Sequence, residues 1–339
     1  MKPRILKIDP HDIDHALIKE AADVIRNRGL VAFPTETVYG LGANALDPDS
    51  AIKIFDAKKR PLDDPLIVHI PDKEEVALLT ASVPDKAWKL IDRFWPGPLT
   101  LIMEKSGKIP DIVTTGLDTV AVRMPSNKIA GALIRSAGVP IAAPSANLFG
   151  RPSPTTATHV IDDLGCSVDM VIDGGRTEIG VESTVVEFHG SDLVVLRPGG
   201  IPVEELEKVA GKVHVYTEED VIERSPGKYP KHYAPEAKVV LSGNSPGQVA
   251  ATLSMAKGFQ EQGINVGIMA KKEHSADYDG FNVKILGPAG NGAACAENLF
   301  HVLREFDHED VDMIIAEAIE EKGLGLAVMN RLRKAAGGE

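Results

Sequence analysis

The chain lacks most of the features that announce a function outright. It has two cysteines in 339 residues, Cys166 and Cys295. So few exclude a Cys-rich zinc site and a disulfide framework, and fit a reducing, cytoplasmic setting. No apolar run is long enough to span a bilayer. The opening MKPRILKIDPHDIDH has no uninterrupted apolar core and does not read as a secretory signal. There is no Walker loop and no GxGxxG, so a nucleotide would have to be held by another arrangement. Nor is there a basic excess. The net charge of −12 argues against broad or stable binding to nucleic-acid backbones and makes any basic site local. No internal repeat or low-complexity tract is present.

What remains is a composition of 43% hydrophobic and 25% charged residues, normal for a globular protein, at a length that suggests two domains. Residues 12–28 place Ile13, Leu17, Ala21, Val24 and Ile25 on one helical face, with Gly29 following. Strand 30–33 comes next, then helix 50–57, strand 66–70, helices 74–80 and 85–93, and strand 99–103. Strand 119–123, helix 127–137, strands 139–143 and 169–172, and β-rich runs at 183–188 and 193–197 complete the pattern. This predicts an α/β domain over 1–217 with an open, twisted, mixed sheet. Residues 218–236 are polar, contain three prolines and show no period, so they read as a linker. Over 237–339, strands at 238–241, 264–269, 283–286 and 311–316 alternate with helices at 246–262, 293–306 and 325–335. That predicts a smaller, Rossmann-like domain with a parallel sheet. It holds 10 Lys and Arg against 14 Asp and Glu, so it is no nucleic-acid clamp either.

Five groups of residues carry possible chemistry. The densest is Lys58–His69, KKRPLDDPLIVH, where charge runs abruptly into an apolar strand. Arg60 can fork two hydrogen bonds onto phosphate oxygens and Lys58 adds a point charge. A solvated helix C-terminus would explain Lys58–Arg60 equally, but not Asp63-Asp64-Pro65 or His69. In PTETVYGLG (34–42), Thr35, Thr37 and Tyr39 offer hydroxyls, and Gly40 and Gly42 permit close backbone approach. The plainer reading is a turn whose Thr and Glu cap the next element. In TVAVRMP (119–125), alternation places Thr119, Ala121 and Arg123 on one face and Val120, Val122 and Met124 on the other. Such an Arg suits a carboxylate, or is simply an edge-strand ion pair. IAAPSAN (141–147) and RPS (151–153) put Ser145, Asn147 and Ser153 after a strand of small residues, or as helix caps. GVESTV (180–185) and RPGG (197–200) contribute Ser183 and Arg197, the Gly pair reading as a turn. His11 and His15 have the spacing of a helical metal pair, but Asp9, Asp12 and Asp14 mark a solvated helix start. Cys166 and Cys295 read as inert buried thiols.

Taken in order, PTETVYGLGANA, AKKRPLDDPLIVHI, FWPGPLT, GLDTVAVRMP, IAAPSAN, RPSPT, GVESTV and LRPGG closely resemble the threonylcarbamoyl-AMP synthases, which are built on a YrdC-like domain. The linker's KYPKHYAP (228–235) and the final GLGLAVMNRLRKA (323–335) resemble the two-domain form of that family, so the likeness spans nearly the whole chain. The resemblance implies condensation of L-threonine, bicarbonate and ATP into threonylcarbamoyl-AMP, with pyrophosphate released. The product would pass to the downstream tRNA threonylcarbamoyltransferase complex, for modification of adenosine next to the anticodon. It implies a concave, locally basic pocket. Thr37, His69, Arg123, Ala143 through its backbone, and Ser183 would form the threonine side. Arg60, Asp64, Thr119, Ser145, Ser153, Arg197 and Tyr233 would form the nucleotide side. Lys58 and Asn147 would complete the KxR and SxN pairs, with Lys58, Arg60, Arg197 and Mg²⁺ stabilising charge on phosphorus. The linker with Tyr233 would act as a lid. Asp64 stands where the family usually has Asn, either as a Mg²⁺ ligand or using only its backbone. Two other readings share the motifs: a carbamoyl-adenylate-forming enzyme acting on carbamoyl phosphate, and an RNA-binding module using the Lys58–Arg60 patch.

Overall fold

The computed structural model describes residues 2–190, 192–216, 229 and 232–337. Most of the 218–236 linker (218–228, 230 and 231) lies outside the described residues. The chain divides into two compact units. The first holds Met1–Phe149, Ser153–Glu178 and Glu182–Lys228; the second holds Gly150–Pro152, Ile179–Val181 and Tyr229–Glu339.

In the first unit the strands, in chain order, are β1 (Arg4–Lys7), β2 (Val31–Phe33), β3 (Gly40–Asn44), β4 (Ile67–His69), β5 (Leu99–Glu104) and β6 (Thr119–Arg123). β7 (Ile141–Ala142), β8 (Met170–Asp173), β9 (Thr184–His189), β10 (Asp192–Arg197) and β11 (Val213–Val215) follow. Among the described residues these make one 11-stranded sheet in the order β1-β8-β2-β3-β7-β4-β6-β5-β9-β10-β11. Parallel pairs such as β4–β6 and β5–β9 alternate with antiparallel ones such as β5–β6 and β4–β7, giving the mixed sheet expected.

Helices form where apolar residues recur at helical spacing behind a cap. His15–Arg26 buries Ile18, Ala21, Ala22 and Ile25, and Asp14 accepts from Ala16 N at 2.8 Å and Leu17 N at 3.2 Å. That cap starts the helix at His15 and makes Asp14 an end-cap, so the acidic cluster around His11 is a helix start. Helix Pro48–Lys58 ends on Lys59 in the left-handed region, φ 52°, which turns the chain toward Arg60. The main core lies on one face of the sheet and includes Val68, Leu101, Val120, Val122 and Val186, while helices His15–Arg26 and Lys128–Ala137 pack a second core with Val31, Phe33 and Ile141 on the other. On that other face Ile67, Ile102, Ala121 and Val185 form a small separate cluster. This division is the alternation expected of residues 119–124.

Several elements escape sequence periodicity. β3 reads as a glycine-rich loop, yet it pairs with β2 on one side and β7 on the other and is buried. β1, β11 and helix Val203–Ala210 are further additions. Strand 139–143 contracts to β7, because Pro140 lacks the N–H a ladder needs.

In the second unit, β12 (Lys238–Ser242), β13 (Val266–Lys271), β14 (Asn282–Gly287) and β15 (Met313–Glu317) form a sheet in the order β12-β15-β13-β14. Every pair is parallel, as the β-α-β alternation predicts. Helix Gln248–Gln260 covers the face bearing Val240, Ile268, Ala270 and Ile315. On the other face Gly267 lies so close to Phe306 of helix Gly292–Asp307 that a Cβ would sit 2.5 Å from its ring. Two short excursions of the N-terminal sequence belong to this unit. Arg151 pairs with Asp307 at 2.9 Å, and Arg304 donates to the Pro152 carbonyl.

Candidate active site

Strand register assembles a polar row on the face opposite the main core. His69 of β4 lies opposite Arg123 of β6, and Arg123 lies opposite Thr100 of β5. Thr100 Oγ1 is 2.8 Å from Ser183 Oγ, just ahead of β9. Beneath this row lies the apolar patch of Ile67, Ala121, Ile102 and Val185. Because β6 is flanked by β4 and β5, Arg123 is interior to the sheet and 4% exposed, not an edge residue in water.

Arg123 meets Glu36, which is 3% exposed, at 2.7 Å from Nη2 to Oε1. The approach is off-line for a hydrogen bond. Among the described residues, both Glu36 oxygens and Arg123 Nε and Nη2 have no hydrogen-bond partner. His69 Nδ1 lies 3.2 Å from the Ile67 carbonyl, and the Ile141 backbone is a second hydrogen-bonding neighbour of the ring. Burial, followed by the nearby Arg123 charge, pushes the His69 pKa down to about 3. His69 is therefore a neutral hydrogen-bonding group at ordinary pH. In the 34–39 loop, Thr35 Oγ1 and Thr37 Oγ1 are 2.7 Å apart, and Thr35 donates to the Val38 carbonyl at 2.7 Å.

Lys58 and Arg60 turn to different partners. Lys58, 1% exposed, donates from Nζ to the backbone carbonyls of Ser145 and Asn147, each at 2.6 Å. The lysine thus binds the 145–147 segment to the end of its own helix. Arg60 donates from Nε to the Asp64 carbonyl at 3.0 Å and from Nη2 to the Pro65 carbonyl at 2.9 Å. Its Nη2 is also 2.9 Å from Asp64 Oδ2, in an ion pair that is almost fully buried. Such a pair holds a guanidinium in place at the entrance of β4.

Arg197 closes the far side. Its Nη2 donates to the Ser183 carbonyl at 3.0 Å and to Ser183 Oγ at 3.2 Å. A register shift between Val195 and Arg197 aligns Arg197 with Val185. Ser153, fully buried, donates to Glu182. Gly199 packs against the same segment. A Cβ there would lie 2.3 Å from Ser183 C and 2.4 Å from both Glu182 O and Thr184 N.

These residues now have relatives. A family model described as "Telomere recombination" matches residues 23–199, and one described as "Threonylcarbamoyl-AMP synthase, C-terminal domain" matches 201–337. The threonylcarbamoyl-AMP synthase of Pyrococcus abyssi (strain GE5 / Orsay) is 49% identical over 331 residues, covering 96% of this chain and 95% of its own length. That of Bacillus subtilis (strain 168) is 47% identical over 325 residues, covering 95% and 93%. The chain belongs to the threonylcarbamoyl-AMP synthase family. The crystal structure of P. abyssi Sua5 complexed with L-threonine matches with a TM-score of 0.93 at 47% identity, covering 98% of this chain and 97% of that one.

Within this family fold, the structure groups the expected residues into local sets. Lys58 joins Ser145 and Asn147; Arg60 joins Asp64; His69 and Arg123 share a row with Ser183; Arg197 joins Ser183. Ala143 donates its N–H to the Ile67 carbonyl at 2.9 Å, next to His69. Thr119 starts β6, at the opposite end from Arg123. Tyr233 belongs to the second unit, with φ 62°, its ring 5.5 Å from that of Phe300 and the Arg331 guanidinium 5.1 Å above it.

Several expectations are corrected. The expected basic character is partly neutralised, because Glu36, Asp64 and Glu182 are buried beside Arg123, Arg60 and Ser153. The Asp64 side chain faces Arg60. Among the described residues no group of three His, Cys, Asp or Glu is arranged to hold a metal. Gly40 and Gly42 make room for the protein itself: a Cβ on Gly42 would lie 2.7 Å from the Phe33 ring. Tyr39 donates to the Gly175 carbonyl at 2.6 Å, a structural bond. Cys166 is exposed, while burial raises the Cys295 thiol to about 11. Sequence reading missed Glu36, Thr100 and Glu182 as site residues. Each lies inside a motif already singled out, so position within the motif was the available signal.

Proposed function

We propose that this chain condenses L-threonine, bicarbonate and ATP into threonylcarbamoyl-AMP and releases pyrophosphate. The observation that carries this reading is the row His69–Arg123–Thr100–Ser183 on one sheet face, in a chain similar over nearly its full length to a protein crystallised with L-threonine. Arg123 receives the threonine carboxylate. Neutral His69 and the Ser183 hydroxyl hydrogen-bond the threonine side chain, with Thr37 and the Ala143 backbone completing this side. The threonine amine attacks bicarbonate or carbon dioxide to give an N-carboxylate, which attacks the α-phosphorus of ATP.

Arg60, Lys58 and Arg197 stabilise the charge that shifts onto the phosphates, and Ser145, Asn147, Ser153 and Thr119 position the nucleotide. Asp64 serves by orienting Arg60. Mg²⁺ enters with ATP, as the counter-ion of the substrate's phosphates. The product passes to the tRNA threonylcarbamoyltransferase complex, and the reaction takes place in the cytoplasm, where the free thiols of Cys166 and Cys295 are at home. Among the described residues, no helix is long and apolar enough to cross a membrane.

The test is direct. The purified chain is incubated with ATP, Mg²⁺, labelled bicarbonate and L-threonine, and pyrophosphate and labelled adenylate are measured. Threonine-dependent release of both is expected. Release driven by carbamoyl phosphate without threonine would support the carbamoyl-adenylate reading, and tight RNA binding without turnover would support the RNA module.

A further inference from the structure

Glu36 is a buried carboxylate of the site that the function proposed above leaves without a task. It lies between Thr35 and Thr37, whose hydroxyls are held together at 2.7 Å, so the loop fixes its backbone. Its carboxylate is within 2.7 Å of the Arg123 guanidinium, yet neither of its oxygens makes a hydrogen bond among the described residues. Arg123 Nε and Nη2 are likewise without one. Burying four polar atoms of a charged pair without aligned partners is unfavourable unless something else satisfies them. The loop does not explain the arrangement, because Thr35 and Thr37 satisfy one another. A ligand that carries both charges at one carbon does: its carboxylate suits Arg123, and its ammonium suits Glu36.

We propose that Glu36 is a catalytic residue that receives the α-ammonium of the amino-acid substrate and takes a proton from it. This rests on the function proposed above and adds the group that prepares the nucleophile. An ammonium has no lone pair and cannot attack carbon. Transfer of one proton to a Glu36 oxygen frees the amine's electron pair, which forms the C–N bond to bicarbonate. The bicarbonate hydroxyl leaves as water after taking up the second amine proton. The products are the N-carboxylate, water and protonated Glu36, which returns its proton to solvent. No oxidant or further co-reactant is needed. The site thereby selects substrates bearing both an α-ammonium and an α-carboxylate.

The experiment compares wild type with Glu36→Gln, which keeps the shape and removes the proton acceptor. With ATP saturating, the variant's kcat near neutral pH should fall by about 10²-fold or more, the range of a lost general base. That deficit should shrink as pH rises through the amine's own titration range, because free amine needs no acceptor. Wild type should also bind L-threonine more tightly than its α-hydroxy analogue, and Glu36→Gln should lose that preference. A pH-independent deficit with the preference retained would reduce Glu36 to a support for Arg123 and overturn the proposal. So would full activity of the variant. Thermal unfolding of the variant, with Glu36→Asp alongside, separates misfolding from chemistry, since a folded Glu36→Asp should regain part of the activity. If wild type itself shows no threonine-dependent turnover, it is the function that fails, not this assignment within it.

Discussion

Arg60 and Asp64 form a buried ion pair one helical turn apart in sequence, with Nη2 2.9 Å from Oδ2 and with Arg60 Nε donating to the backbone carbonyl of the same aspartate. Arg60 is thus fixed by both the side chain and the main chain of Asp64. Removing Arg60 alone leaves a buried carboxylate without its counter-charge. Arg60→Ala should therefore lower stability by about 3–5 kcal/mol and weaken ATP use more than threonine use. Asp64→Asn keeps the backbone bond and should retain turnover. The double variant should be less destabilised than the two single effects predict. Denaturant unfolding of all four proteins gives the coupling, and strict additivity would dissolve the pair as an energetic unit.

Lys58 belongs to the scaffold as much as to the charge of the site. Lys58→Met removes two charge-assisted hydrogen bonds, one to the part-buried carbonyl of Ser145 and one to the buried carbonyl of Asn147. A loss of about 2–4 kcal/mol is expected, together with weaker nucleotide binding. Calorimetry and ATP titration read the two effects separately. Weaker ATP binding at undiminished stability would mean that Lys58 contributes only charge.

His69 gives the fold an acid limit. Its folded-state pKa of about 3 lies below its ordinary value of 6.5, so below pH 6.5 the unfolded chain binds a proton that the folded chain refuses. Its contribution to stability is present above that pH and is lost as pH falls toward 3, at up to ~1.4 kcal/mol per pH unit. His69→Gln should flatten this part of the profile. Urea unfolding at pH 7 and pH 5 makes the comparison, and identical slopes in both proteins would contradict it.

Gly199 is required by space, since its φ is not positive. The atoms that a Cβ would meet are backbone and cannot rotate away. Gly199→Ala should cost about 1–3 kcal/mol and displace Ser183 and Arg197, raising KM for threonine and for ATP together. A variant with native stability and kinetics would show that the 182–184 segment yields freely.

Much of this was legible in the residues. The β-α-β alternation over 238–335 announced a parallel sheet because each strand and helix carries its own period. Residues 119–124 announced their two faces for the same reason. β3 was not legible, since GLGAN has no strand propensity and is ordered only by β2 and β7 on either side. The domain assignment of 150–152 and 179–181 was equally hidden, because it depends on contacts with residues more than a hundred positions away.

The sequence by itself determined the family, the α/β class and the set of side chains available for chemistry, because those follow from motif order and local periodicity. Tertiary structure alone decided which charges meet. Glu36 beside Arg123, and Lys58 on the carbonyls of Ser145 and Asn147, are pairs distant in sequence, brought together by strand order and burial. In a buried site the partner a charge finds decides what it can do, and no local pattern records that partner.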